Sequence, residues 1–124
     1  MKKLTRKEED IMQVIWDLEN ALVSDIISKL PEQDLPYTTI SSIVRILEKK
    51  GFVDHRTFGK THQYYPLISK EEYRKTQMKS MVQTYFDSSY KNVVSFFAEN
   101  DEISPDDLKE ILDLIENKET REDD

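Results

Sequence analysis

Residues 37–53 have the sequence YTTISSIVRILEKKGFV, and this stretch decides the fold. Gly51 stands where a helix commonly ends in a left-handed residue. One side of the stretch holds short hydroxyl side chains, then an arginine and a lysine. Aliphatic side chains recur at the spacing that lines one face of an α-helix; they are Ile40, Ile43, Val44 and Leu47. We therefore predict a helix from Tyr37 with one buried side and one small, polar, partly basic side.

Two amphipathic helices are predicted before this stretch. Thr5 begins a capping-box pattern, and the apolar face that follows it consists of Ile11, Val14, Ile15 and Leu18. Trp16 is expected to anchor the core. The second helix is expected to use Ser24 as its N-cap and to end at Pro31. A turn over residues 31–36 would then lead into the third helix.

The pattern changes from helical to β-rich after Gly51. Residues 52–56 (FVDHR) and 62–65 (HQYY) have the pattern of two β-strands, and a short segment with Gly59 separates them, which indicates a β-hairpin. Phe58 is expected to pack beneath this hairpin or to contact a sugar. Three helices and a hairpin within the first 65 residues follow the order of a winged helix-turn-helix domain, in which the hairpin is the wing.

The rest of the chain is again helical in pattern, with apolar faces around residues 73–86, 93–97 and 108–115. These segments are too short to form a stable core alone, so residues 71–118 are expected to pair with a second copy. The predicted fold is mainly α with a small β-hairpin. A winged helix-turn-helix domain spans residues 1–68, and a helical dimerisation domain with an acidic tail spans residues 69–124.

The charge of the chain is unevenly distributed. The net charge is −7, but residues 1–75 hold 13 basic against 12 acidic side chains, and residues 37–62 hold 5 against 2. A locally basic stretch of this kind is compatible with nucleic-acid binding. The chain has no cysteine, no apolar run of roughly 18 residues and no signal-peptide pattern. We expect no membrane insertion and a cytoplasmic setting.

A helix-turn-helix domain places the start of its second motif helix in the major groove of DNA. Hydroxyl groups there can bond to base edges, and a longer cation can reach a guanine or a phosphate. The predicted DNA-binding residues are Thr38, Thr39, Ser41, Ser42, Arg45 and Lys49 on the helix, with Arg56 and Lys60 on the wing. His62 is expected near the wing tip and Lys50 over the DNA backbone. One of the two threonines is also expected to cap the helix.

No catalytic set stands out, so we do not expect an enzyme. His55 and His62 lie on the hairpin without a Ser-His-Asp or metal-ligand spacing around them, and we predict no metal site and no cofactor. The alternative function is that of a winged-helix protein-interaction module without sequence-specific DNA binding. The basic residues around a hydroxyl-rich helix favour DNA.

Three segments resemble the penicillinase-repressor family of transcriptional regulators. Residues 4–16 (LTRKEEDIMQVIW) are similar to its first helix, and residues 37–40 (YTTI) with 47–53 (LEKKGFV) are similar to its recognition helix. Residues 97–100 (FAEN) and the last amphipathic helix resemble its C-terminal part. The resemblance extends over residues 4–118.

This resemblance implies a homodimer that binds an inverted-repeat operator in double-stranded DNA and represses genes of β-lactam resistance or copper handling. The copper-sensing members have a cysteine-rich metal site, which a chain without cysteine disfavours. In the resistance repressors, a membrane sensor and protease pathway leads to cleavage at an Asn-Phe bond. Phe96-Phe97 aligns with that bond, so the second residue matches and the first does not. Ile46 stands where relatives often have a basic residue, so a different operator sequence is expected.

Overall fold

The computed structural model describes residues 2–31 and 35–122. The described residues form six helices and one antiparallel hairpin, which confirms the predicted fold class. The elements are α1 (Arg6–Leu18), α2 (Val23–Lys29), α3 (Tyr37–Lys49), β1 (Val53–Phe58), β2 (Thr61–Pro66), α4 (Lys70–Tyr85), α5 (Tyr90–Glu99) and α6 (Pro105–Glu122). None of these helices has the length and apolar character that crossing a lipid bilayer requires.

The core of the first compact unit, Met1–Gln77, lies where α1, α2, α3 and the hairpin meet. Its fully buried side chains come from every one of these elements and include Ile11, Met12, Ile15, Ile26, Ile40, Val44, Leu47, Phe52 and Val53. Trp16 packs against this core partly buried, and its indole N–H donates to the carbonyl of Ile68 at 2.8 Å. The predicted apolar faces of α1 and α3 are thus the faces that the fold buries.

Capping interactions determine where α1 begins and where α3 ends. At the start of α1, Thr5 and Glu8 form the predicted capping box. At the end of α3, Gly51 has a φ of +83°, and its N–H donates to the carbonyl of Glu48 while the N–H of Phe52 donates to Leu47, both at 3.0 Å. This Schellman arrangement needs a left-handed residue, which glycine adopts without strain.

Two capping predictions were wrong. Helix α2 begins at Val23, so Ser24 lies inside its first turn; the cap position belongs to Leu22, whose N–H donates to the Asp25 carboxylate at 3.0 Å. Helix α3 is preceded by Pro36 at the cap position without a side-chain cap, so neither of its threonines caps it. Proline fixes the entry geometry there. Of the turn predicted over residues 31–36, residues 32–34 lie outside the described residues.

The hairpin is longer than predicted and its turn is tighter. The strands extend to Phe58 and Thr61, which pair with each other, and Gly59 takes a φ of +63° in the two-residue turn. Ala21, between α1 and α2, forms an isolated antiparallel bridge to β2: it exchanges two backbone hydrogen bonds with Tyr64, at 2.9 and 2.8 Å. A single paired residue has no sequence pattern, so this pairing was not predicted.

Tyr73, near the start of α4, belongs to the core of the first unit. Its ring lies 5.8 Å from the ring of Trp16 and 5.7 Å from that of Phe52, measured between centroids. Its hydroxyl donates to Glu9 and accepts the N–H of Leu4. Burial, together with the carboxylate of Glu9, raises the pKa of Tyr73 to about 12. The first unit therefore continues into α4. The division into a DNA-binding domain of residues 1–68 and a dimerisation domain of residues 69–124 stays a prediction.

The second compact unit, Met78–Asp124, leaves much of its apolar surface uncovered. Phe86 and Phe96 meet edge to face with centroids 5.5 Å apart. Helix α5 has no buried residue, and the exposed apolar side chains of α5 and α6 are Tyr90, Phe96, Phe97, Leu108, Ile111, Leu112, Leu114 and Ile115. Helix α6 extends to Glu122 and so includes most of the predicted acidic tail, whose last two residues lie outside the described part.

A partly buried ion pair joins α1 to the end of α3. The Nζ of Lys50 lies 2.9 and 2.8 Å from the two carboxylate oxygens of Glu8, whose side chain is only 6% exposed. Burial alone would raise the pKa of Glu8, but the hydrogen bonds from Lys50 and from the backbone of Thr5 outweigh it and hold this pKa below the ordinary value of 4.5. The pair fixes the end of α3 against the first helix.

We expect Lys50→Met to lower the free energy of unfolding at pH 7 by about 2–3 kcal/mol, because it leaves the Glu8 carboxylate buried and unpaired. The cost is below that of a fully buried pair because the Lys50 side chain is 23% exposed. Denaturant titration measures it, with Lys49→Met, an exposed neighbour, as the control that should change little.

The same pair predicts a pH dependence. A carboxyl group whose pKa is lowered by folding stabilises the protein above its ordinary pKa and loses this contribution as the pH falls through the folded value. The difference between wild type and Lys50→Met should therefore shrink as the pH falls below 4.5. A difference that stays constant down to the acid transition would contradict this interpretation of Glu8.

Candidate nucleic-acid interface

The buried side of α3 determines which of its side chains face outward. Ile40, Val44 and Leu47 are fully buried, so the positions between them point away from the core. Of the predicted residues on this helix, Thr38, Ser42, Arg45 and Lys49 are exposed, and Thr39 and Ser41 are half-buried. All six side chains are therefore at least partly accessible, and four of them form the outermost strip of the helix.

The predicted cations are free to meet an anion. Arg45, Lys49, Arg56 and Lys60 are exposed, and within the described part of the chain none of them is in a salt bridge. The Arg56 guanidinium lies 4.6 Å from the centroid of the Tyr65 ring, a cation–π distance that orients the group and leaves its edge donors available. Lys50 differs from the prediction: it binds Glu8 and is not available to a DNA backbone.

A cleft of about 220 Å³ brings part of the predicted set together. Its wall includes Ser41 and Arg45 of α3 and Lys60 of the wing, and the other residues around it are Leu22, Val23, Ser24, Tyr37, Thr61, His62 and Tyr64. Two cations and several hydroxyl groups thus face one concave space between helix and wing. The remaining predicted residues do not line this cleft; Arg56 pairs with Gln63 and lies on the opposite face of the hairpin from His62.

The hydroxyl groups on α3 differ in what they can still bond. The Ser42 hydroxyl donates to the carbonyl of Thr38 at 2.8 Å, so in this state its oxygen offers acceptor capacity to a base or water. Thr38 is exposed beside it. Small side chains at these positions allow the helix backbone to approach a groove closely, which bulky residues would prevent.

Sequence reasoning missed several accessible residues near this surface. Tyr37 is 55% exposed and Ile46 is 45% exposed, while Ser24 and Thr61 line the cleft. The signal was ambiguous for Tyr37, because it precedes Ile40 and Val44 at helical spacing and so resembles a core position. Ile46 stands where a basic residue is common among relatives, and its exposure makes it a candidate for contact with a thymine methyl group. Phe58 is 56% exposed, so it does not pack beneath the wing.

A second cluster lies where the last turn of α3 meets β1. The Nδ1 of His55 and the Oε1 of Glu48 are 2.5 Å apart, and the Asp54 carboxylate accepts the backbone N–H of His55 at 2.8 Å. The rings of His55 and His62 stack with centroids 4.1 Å apart. No local spacing revealed this cluster, because the antiparallel pairing of the strands and the turn after α3 bring its members together.

Comparison with known proteins agrees with the resemblance found in the sequence. A family model described as penicillinase repressor matches residues 4–117. The methicillin resistance regulatory protein MecI of Staphylococcus aureus (strain N315) is 26% identical, and the match covers 94% of this chain and 95% of that protein. The penicillinase repressor of Bacillus licheniformis is 25% identical over 98% of each chain.

A solved structure matches the N-terminal part of the fold. The solution structure of the DNA binding domain of the repressor BlaI aligns with a TM-score of 0.50 and 28% sequence identity. The alignment covers 59% of this chain and 94% of that domain. The three helices and the hairpin described above are thus the architecture of a DNA-binding winged helix.

Proposed function

Because the chain belongs to the penicillinase repressor family, we propose that it is a transcriptional repressor that binds operator DNA through α3 and the hairpin. One observation carries the proposal: Arg45 of the helix and Lys60 of the wing, which form no salt bridge among the described residues, face one cleft beside a strip of small hydroxyl side chains. The proposal contains no catalytic step. The names of the relatives support genes of β-lactam resistance as targets.

The two groups of residues have different tasks in this proposal. Thr38, Thr39, Ser41 and Ser42 contact base edges from the start of α3, since short side chains let the helix enter the groove. Arg45 reaches a guanine or a phosphate from the next turn. Lys49 and the wing residues Arg56 and Lys60 contact phosphates, which position the protein without selecting a sequence.

Substitutions should separate these tasks. Arg45→Ala should weaken operator binding by about 1–3 kcal/mol, and Thr39→Ala or Ser42→Ala should reduce discrimination between operator variants more than overall affinity. Lys60→Ala should weaken binding to all duplexes alike and reduce the salt slope by about one. Equilibrium titration at several salt concentrations measures both quantities. Lys75→Ala is the charge-matched control, because Lys75 lies on α4 in an exposed pair with Glu71.

The competing function, a protein-interaction module without sequence-specific DNA binding, gives a different result. Such a module would bind duplexes weakly, and Arg45→Ala and Lys75→Ala would have the same small effect. Steep salt dependence combined with a selective loss in Arg45→Ala would rule out this alternative.

We propose further that residues 69–124 form a homodimerisation domain and residues 1–68 the DNA-binding domain. The aliphatic face of α6 supports this assignment, because Leu108, Ile111, Leu112 and Ile115 lie along one side of the helix and are all exposed in the single chain. A second copy would cover this face, and a symmetric dimer would place two copies of α3 on an inverted repeat.

Introducing a charged side chain on the aliphatic face of α6 tests the proposed dimer. Ile115→Lys should shift the chain from dimer to monomer in sedimentation at micromolar concentration, because it places an ammonium group in the proposed apolar interface. Asp113→Asn changes the net charge equally on the opposite side of α6 and should remain dimeric. A wild-type chain that sediments as a monomer yet binds operator tightly would overturn the dimer proposal.

Release from DNA is proposed to act through the same domain. Phe96 and Phe97 lie exposed on α5, where cleavage initiated by a membrane sensor and protease pathway would remove α6 from the DNA-binding domain. Protease access requires local unfolding of this helical segment, which few buried contacts oppose. Two winged helices that are no longer linked would lose the avidity of joint binding.

A fragment of residues 1–96 should therefore bind an operator with two half-sites at least about a hundredfold more weakly than the full chain. On a single half-site the two proteins should bind alike, which controls for damage to the DNA-binding domain. Equal affinities for the complete operator would contradict this mechanism of release.

A further inference from the structure

The cluster of Glu48, Asp54 and His55 has no part in the proposed DNA contacts. One nitrogen of His55 and one carboxylate oxygen from each of the other two residues all lie within 4.8 Å of one another. All three residues are half-buried. Glu48 comes from the last turn of α3, whereas Asp54 and His55 come from the first half of β1.

We propose that these three side chains form a binding site for a divalent transition-metal ion with the preferences of Zn²⁺. An imidazole nitrogen and two carboxylate oxygens are ligands that zinc accepts, and three protein ligands leave a further position for water. Ligand atoms about 2.1 Å from a tetrahedral ion lie roughly 3.4 Å from one another. The 2.5 Å contact between His55 and Glu48 would open by roughly 1 Å to reach this separation, through rotation of the Glu48 carboxylate.

The local charge balance favours a cation over a simple hydrogen bond. The His55 imidazole contacts Glu48, and the Asp54 carboxylate accepts the backbone N–H of the same residue. Within the described chain, neither Glu48 nor Asp54 is in a salt bridge with a lysine or an arginine. Two partly desolvated carboxylates at this distance repel each other, and a divalent ion would neutralise both. Magnesium fits less well, because it demands octahedral oxygen coordination and seldom takes an imidazole ligand.

A metal ion at this site would join the recognition helix to the wing. Glu48 follows Arg45 by one turn on α3, and His55 stacks on His62, which lines the cleft beside Arg45 and Lys60. An ion held by α3 and β1 would limit motion of the hairpin relative to the helix and stabilise the folded chain by mass action. This inference concerns the free protein and does not depend on the proposed operator binding.

The test is a zinc titration of the full, untagged chain in competition with a chromophoric chelator. The sequence offers two histidines and no cysteine, so a histidine-dependent site is easily assigned. We expect one Zn²⁺ ion per chain with micromolar or tighter affinity, a raised Tm, and a shift of the His55 imidazole signals in the NMR spectrum. Glu48→Gln and His55→Gln should each weaken binding by at least about tenfold, whereas Glu71→Gln, an exposed glutamate on α4, should have no effect.

Circular dichroism shows whether each variant has kept its fold, and Asp54→Asn provides a third variant if one of them has not. Two results would overturn the site: absence of zinc binding by the wild-type chain in the micromolar range, or binding that these variants retain at the wild-type affinity. The titration contains no DNA, so failure to bind zinc would not count against the proposed repressor function.

Discussion

The burial of one aliphatic face of α3 is the constraint on which the rest of the molecule depends. Ile40, Val44 and Leu47 have no exposed surface, so the helix cannot rotate without exposing them to water, at a cost of about 1.5–3 kcal/mol for each side chain. The Glu8–Lys50 pair holds the end of the same helix against α1. Together these contacts fix the outward direction of Thr38, Ser42 and Arg45, and the Schellman turn at Gly51 then directs the chain into the wing.

The distribution of charge explains how a chain with a net charge of −7 can approach a polyanion. The surplus of acid lies after residue 75, while residues 37–62 have three more basic than acidic side chains. At physiological ionic strength, exposed charges more than about 8 Å apart are largely screened from each other. The charge near the cleft therefore matters more for DNA binding than the charge of the whole chain.

Sequence patterns predicted most of the fold and only part of the site. Periodicity located α1 and α3, because their buried faces repeat at helical spacing, and it identified the exposed strip of α3 by exclusion. Periodicity wrongly assigned Lys50 to the DNA backbone. Lys50 follows Lys49 in a run of polar residues, and nothing in that run indicates that its partner is Glu8, a buried glutamate 42 residues earlier. Sequence reasoning also misassigned Ser24, because the N-cap of α2 is Leu22, which lies before the serine that was the more favourable capping residue by type. The cluster of Glu48, Asp54 and His55 and the bridge between Ala21 and Tyr64 depend on tertiary pairing, which local spacing does not encode.

The central claim is that α3 and the turn of the wing together form the DNA-binding surface. Amide chemical shifts of the isotope-labelled chain, titrated with an operator duplex selected from a random pool, test this claim residue by residue. The account predicts that the largest changes fall in residues 37–49 and 59–62, with little change along α5 and α6. Large changes confined to α5 and α6, with residues 37–49 unaffected by saturating DNA, would contradict it.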